Sequence, residues 1–261
     1  MTRVLSGAAL IAVTVGVVWF GNDTLFQMFG ALLVVLGARE LIALAAASDL
    51  HVSALPVYVA TLLTAYVVGV QAGDALEVPL MAAVVAIGLG VMGSWRGGAN
   101  ALATVAAALF PAFYIGLPIG ALAAVRSLTN PKVLLLLMLT VMVSDTAQYY
   151  SGRAFGRHPL APAISPKKTI EGAIGGFVFG TALFVGAGRW WVPGMPVIFR
   201  VGLGLALVAL GIAGDLFESM LKRSAGVKDS SALIPGHGGV LDRIDALLFA
   251  APIYYIFLKY V

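Results

Sequence analysis

The sequence predicts an all-α, polytopic integral membrane protein of about nine transmembrane helices, with its N-terminus inside and its C-terminus outside. Three observations predict it. Of 261 residues, 61% are hydrophobic and 11% charged, against about 25% charged in a soluble domain. Mean hydropathy is +1.00, so there is too little polar surface to cover a water-soluble particle. The apolar residues come as continuous Ala, Leu, Val and Gly runs, not as the alternation of a transmembrane β-barrel.

The runs are expected at about Val4–Phe20, Thr24–Ala47, Leu55–Val70, Val78–Gly93, Ala101–Val125, Val133–Tyr150, Gly172–Trp191, Val197–Phe217 and Ile244–Tyr260. Roughly 20 apolar residues cross a bilayer core as a helix, so the third and fourth are short. The first run resembles a signal peptide but lacks a small-residue cleavage site, since Val18, Trp19 and Phe20 precede Gly21. It reads as a retained helix. Ten Lys or Arg fall on the inner side, and five, Arg126, Lys132, Arg189, Arg200 and Lys259, on the outer. The loop 71–77 is acidic and lies outside, so the positive-inside rule favours N-in. The net charge of +4 fits cytoplasmic loops facing anionic headgroups. No nucleic-acid motif accompanies it. With no cysteine, disulfide and thiolate chemistry are excluded. Residues 1–130 read as scaffold helices and 131–261 as a catalytic region within one integrated fold. No internal repeat of the transporter kind is visible.

Ionisable groups inside or bordering spans are costly and point to function. Asp145 lies in the last turns of the sixth span, Asp215 at the end of the eighth, and Asp242 and Asp245 at the mouth of the ninth. In the N-in topology all of these open to the cytoplasmic side. Carboxylates converging at one depth call for a cation, and a hard divalent ion such as Mg²⁺ suits their oxygens and binds substrate phosphates. The basic partners lie in two polar loops, Ser151–Glu171 and Glu218–Arg243. Ser165 and Pro166 are expected to form a turn before Lys167 and Lys168. Thr169 is positioned to cap the helix that follows, whose N-terminus favours anions. Lys222, Arg223 and Lys228 add positive charge in the second loop. Pro235-Gly236-His237-Gly238-Gly239 cannot be regular helix and reads as a tight loop that lets backbone approach a ligand.

The stretch from Ser219 through Lys222, Arg223, Lys228, Asp229, Ser231, Ile234, Pro235, His237, Gly238, Gly239, Asp242 and Arg243 to Asp245 resembles the C-terminal signature of the CTP:phosphatidate cytidylyltransferases. Ser144–Gly156 and Ser165–Gly172 are similar to that family's upstream blocks. The resemblance implies transfer of CMP from CTP to phosphatidic acid, giving CDP-diacylglycerol and pyrophosphate. A short, single-domain, cysteine-free chain of this kind suits a bacterial inner membrane. It implies a metal centre on Asp215 and Asp242, with Mg²⁺ and with K⁺ as a second cation. Asp145 is placed to complete the metal shell or to hold the nucleotide. Lys167, Lys168, Lys222 and Arg223 then serve catalysis by neutralising phosphates. Asp145, Ser165, Lys228, Asp229, His237, Gly238, Gly239 and Arg243 are the candidates to bind the nucleotide, with Arg243 and Lys228 orienting Asp242. A homodimer is part of the implied picture. The rival readings are a cation-coupled transporter and a CTP-dependent polyprenol kinase. The motif of the CDP-alcohol phosphotransferases is absent.

Overall fold

The computed structural model describes residues 2–71, 74–97 and 100–261. Ala72 and Gly73 of the expected outer loop lie outside the described residues, as does the side chain of Arg3. The described chain is an all-α, polytopic membrane protein. Its helices are α1 (Thr2–Phe20), α2 (Asp23–Ala47), α3 (Ala54–Gln71), α4 (Glu77–Ser94), α5 (Ala101–Pro111), α6 (Leu117–Leu128), α7 (Pro131–Phe155), α8 (Ile170–Trp191), α9 (Val197–Ser224) and α10 (Leu241–Tyr260). Among the described residues seven stretches are long and apolar enough to cross a membrane: α2, α3, α4, the α5–α6 run, α7, α8 and α9. Large apolar side chains such as Leu55, Val78, Met81 and Met92 stand exposed on α3 and α4, a surface that lipid, not water, satisfies.

The chain folds as two compact units. One comprises Met1–Leu128 and Leu221–Arg243, the other Thr129–Met220 and Ile244–Val261.

In the first unit, Asn22 caps α2 by accepting the Leu25 N–H at 2.8 Å. Small residues let α3 approach α6 and the turn that leads into it closely. A Cβ on Gly116 would meet the Thr61 carbonyl at 2.8 Å, and one on Gly120 the Ala65 carbonyl at 2.7 Å. Such small-residue contacts are how helices associate where no water drives them together. Pro111 has no N–H to give the preceding turn, and the helix widens into a π turn over Ala112–Gly116. Val57, Ala60, Ala83, Ile87, Ala108 and Ala112 form the core of α3, α4 and this run.

In the second unit, Asn130 caps α7, with Pro131 in its first turn. α8 packs on α7 through Gly172, Gly175, Gly176 and Gly180; a Cβ on Gly180 would meet Val208 at 2.7 Å and Ser144 at 3.0 Å. Ala173, Val208 and Ile212 form a core between α8 and α9. Buried Tyr254 of α10 donates to the Val133 carbonyl at 3.0 Å and meets Phe184 edge-on.

Three expectations change. Polar Ser151, Gly152 and Arg153 continue α7 to Phe155, so Asp145 lies well inside the helix. α9 likewise runs on to Ser224, so Asp215 is internal and Lys222 and Arg223 form the last turn. Its stop signal is Gly226, at φ +71°. The Val227 N–H returns to the Lys222 carbonyl and the Gly226 N–H to that of Arg223, a Schellman ending. The expected turn at Ser165 and Pro166 is instead strand. β1 (Pro159–Ala161) pairs antiparallel with β2 (Ser165–Thr169).

Candidate functional site

The second unit gathers an acidic group. Thr169 ends β2 and caps α8, its hydroxyl accepting the Gly172 N–H at 3.1 Å. Glu171 in the first turn accepts the backbone N–H groups of Arg157 and His158 and pairs with the His158 ring at 2.6 Å. Both ends of the hairpin are thereby tied to the start of α8. Lys168, on β2, reaches Asp215 of α9 at 2.6 Å, whereas neighbouring Lys167 is exposed. Ser165 begins the strand and is half-buried. Gly214 lets α9 and α10 touch, since a Cβ there would meet the Asp245 carbonyl at 2.6 Å. Asp245 consequently sits in the repulsive field of Asp215, Glu218 and Asp145. Asp145, exposed on α7, accepts from Gln148 at 2.9 Å.

The first unit organises the glycine loop. Gly236 and Gly238 both adopt φ +76°, which favours glycine. Ile234 and Gly238 pair as an isolated bridge. His237 meets the Ser6 hydroxyl through Nδ1 at 3.0 Å, and its carbonyl accepts from Arg243 Nε. Asp242 is the hub. One oxygen pairs with Lys222, both side chains being almost fully buried. The other accepts the Gly239 N–H at 2.7 Å and the Ser230 N–H at 3.0 Å, and the Ser230 hydroxyl oxygen lies 2.9 Å from it. Burial alone would push the Asp242 carboxyl up; Lys222 and the Gly239 N–H outweigh it and hold it below the usual carboxylate range.

Several expected roles are redistributed. The ion partner of Asp242 is Lys222, not Arg243 or Lys228: Arg243 is spent on the His237 carbonyl, and Lys228 is exposed. Arg223 donates to the Val227 carbonyl at 3.0 Å and so closes the end of α9. Asp229 lies beside Gly238, whose Cβ would approach its own at 3.5 Å. Asp215 and Asp242 belong to different units, each paired with a lysine that sequence reasoning reserved for phosphate.

One residue escaped sequence reasoning. Glu40, on α2, is only 3% exposed. Its carboxylate accepts the Ser230 hydroxyl at 2.8 Å, the Ser231 hydroxyl at 2.6 Å, the Val240 N–H at 2.9 Å and the Leu241 N–H at 2.8 Å. The signal was present, since an acid within an apolar span marks function by default. It lies in the half of the chain that reads as scaffold.

The carboxylates of Asp145 and Asp215, beside Asp245, offer the hard oxygen donors that suit a divalent ion keeping most of its waters. Among the described residues no three His, Asp or Glu side chains are grouped to enclose a metal ion by themselves.

The cytidylyltransferase family model matches residues 1–261, the full length of the chain. The chain belongs to the cytidylyltransferase family. It is similar to the phosphatidate cytidylyltransferase of Haemophilus influenzae, 46% identical over 135 residues, covering 49% of this chain and 46% of the relative. The enzyme of the same name from Aquifex aeolicus is 42% identical over 123 residues, 47% of this chain and 46% of the relative. That of Thermotoga maritima is 44% identical over 131 residues, 48% of each. The matched segments span about half the length of these cytidylyltransferase relatives.

Proposed function

We propose that the protein is a phosphatidate cytidylyltransferase, transferring CMP from CTP to phosphatidic acid to give CDP-diacylglycerol and pyrophosphate in phospholipid biosynthesis. The observation that carries the reading is the family match over the whole chain, with the glycine loop folded around the Asp242–Lys222 pair.

A phosphate oxygen of phosphatidic acid attacks the α-phosphorus of CTP, and the bond to the pyrophosphate oxygen breaks. The nucleophile is already anionic, so no protein nucleophile is needed. Repulsion between two polyanions is the obstacle, and positioning with charge neutralisation is the remedy. In this reading Lys167, Lys168, Lys222 and Arg223 take up phosphate charge, and the loop of His237, Gly238 and Gly239, with Ser165, Lys228, Asp229 and Arg243, surrounds the nucleotide. Asp215 and Asp242, with Asp145, are the acids assigned to Mg²⁺, and K⁺ is a second cation. When bound, Mg²⁺ supplies positive charge to the phosphates. Lys168 pairs with Asp215 and Lys222 with Asp242, so each ammonium that would meet phosphate charge is held beside its own acid.

The reading also includes nine spans, adding α1 and the stretch 244–260 to the seven, an N-in orientation in a bacterial inner membrane, a cytoplasmic active site and a homodimer. The excess of Lys and Arg on one side supports the orientation. Incubation of purified protein with CTP, phosphatidic acid and Mg²⁺ should yield CDP-diacylglycerol and pyrophosphate, and chelation should abolish both. CDP and a phosphorylated alcohol would instead mark a polyprenol kinase. Cation flux in proteoliposomes without either product would mark a transporter. D215N should lose at least about 100-fold in kcat; near-normal turnover would remove Asp215 from the reaction.

A further inference from the structure

We infer that Glu40 is a positioning residue for the reaction: from α2 it sets the glycine loop and the start of α10, and through them Asp242 and Lys222. The kinetic part of this inference rests on the cytidylyltransferase reading; the structural part does not.

The N-terminus of α10 presents N–H groups with no partner in the helix, and such a terminus attracts an anion. Here the anion is the protein's own. Each carboxylate oxygen of Glu40 takes one backbone N–H and one hydroxyl: one takes Val240 and Ser231, the other Leu241 and Ser230. The same hydroxyl oxygen lies 2.9 Å from Asp242, so Ser230, with one proton to share between them, sits between the two acids. Gly239 fits beneath them because it has no side chain, as a Cβ would lie 2.5 Å from both Glu40 oxygens and 2.1 Å from the Ser230 oxygen. Glu40 thus determines where the Gly239 N–H points, and that N–H is a donor to Asp242.

This pattern distinguishes glutamate from glutamine by hydrogen-bond count. A Ser hydroxyl can turn to accept from an amide, but a backbone N–H cannot. In either orientation a glutamine NH₂ faces a backbone N–H, of Val240 or of Leu241, and one buried donor loses its acceptor. Aspartate keeps both oxygens but stops one methylene short. The loop should therefore loosen in Glu40→Gln without loss of the helical fold, and should loosen less in Glu40→Asp.

The test has two readouts on full-length protein in detergent. Limited trypsin digestion reports cleavage at exposed Arg223 and Lys228, which precede the loop in the segment that joins it to α9. Steady-state CDP-diacylglycerol synthesis reports kcat and KM. E40Q is expected to raise cleavage at those two sites several-fold, with other sites and gel-filtration behaviour unchanged. It is expected to lower kcat about 100-fold, the cost of misplacing a site by about 1 Å, while KM for phosphatidic acid stays within about threefold. E40D is expected to recover part of both. Wild-type cleavage in E40Q overturns the inference, as does a general loss of protease resistance that matches the loss of turnover. Wild-type protein that makes no CDP-diacylglycerol overturns the assigned reaction instead, and the trypsin pattern of E40Q then decides the role of Glu40 alone.

Discussion

At Asp242, each carboxylate oxygen has a different task. One faces the Lys222 ammonium; the other collects the N–H groups of Gly239 and Ser230, with the Ser230 hydroxyl beside it. Removing one partner of a buried ion pair costs about 3–5 kcal/mol, because the other charge is stranded. K222M should therefore lower the melting temperature markedly. D242N can turn its amide NH₂ toward residue 222 and keep its oxygen for the two N–H groups. K222M/D242N should consequently be more stable than K222M alone, a non-additivity that thermal unfolding of all three variants in detergent measures. Strictly additive losses would show that Lys222 is held by other neighbours. The presence of Asp242, Lys222 and Gly239 in a polar cluster was legible from residue order. Which lysine meets which acid was not: Lys222 is twenty positions from Asp242 and Arg243 only one, yet Arg243 turns to the His237 carbonyl.

At the scale of elements, the helices follow from apolar runs, but their ends follow other rules. A run of apolar residues marks what lipid or core can bury, whereas a helix continues until caps or glycine end it. α9 outlasts its apolar stretch because nothing stops it before Gly226, and this moves Lys222 and Arg223 from a loop to a rigid last turn. Ser165–Thr169 becomes strand because Pro159–Ala161 returns to pair with it, a contact that local residue types do not encode. The glycines of α8 are likewise meaningful only against α7 and α9. Gly180→Leu should destabilise by about 1–3 kcal/mol through overpacking on Val208 and Ser144. Gly186→Leu, on the same helix where a Cβ meets nothing within 4 Å, should be silent. Equal melting temperatures for the two variants would show that α8 does not depend on that close approach.

At the scale of the whole molecule, a chain without cysteine reports its own topology, since any cysteine introduced is the sole thiol. In the N-in orientation, G194C, in the turn between α8 and α9, should react with a membrane-impermeant maleimide added outside intact spheroplasts. K228C should react only after permeabilisation. The reverse pattern would invert the orientation and move the site to the other face. Composition by itself determined that this chain is a membrane protein, because a surface with so little charge cannot be hydrated, and its continuous apolar runs made it polytopic and helical. Residue order determined its family, because the fixed polar positions from Ser219 to Asp245 are dense and specific. Only the tertiary structure decided that Glu40, about two hundred positions upstream in an apolar helix, completes the signature loop. Its four donors come from Ser230, Ser231, Val240 and Leu241, and a hydrogen bond of that sequence separation exists only once α2 has packed beside the start of α10.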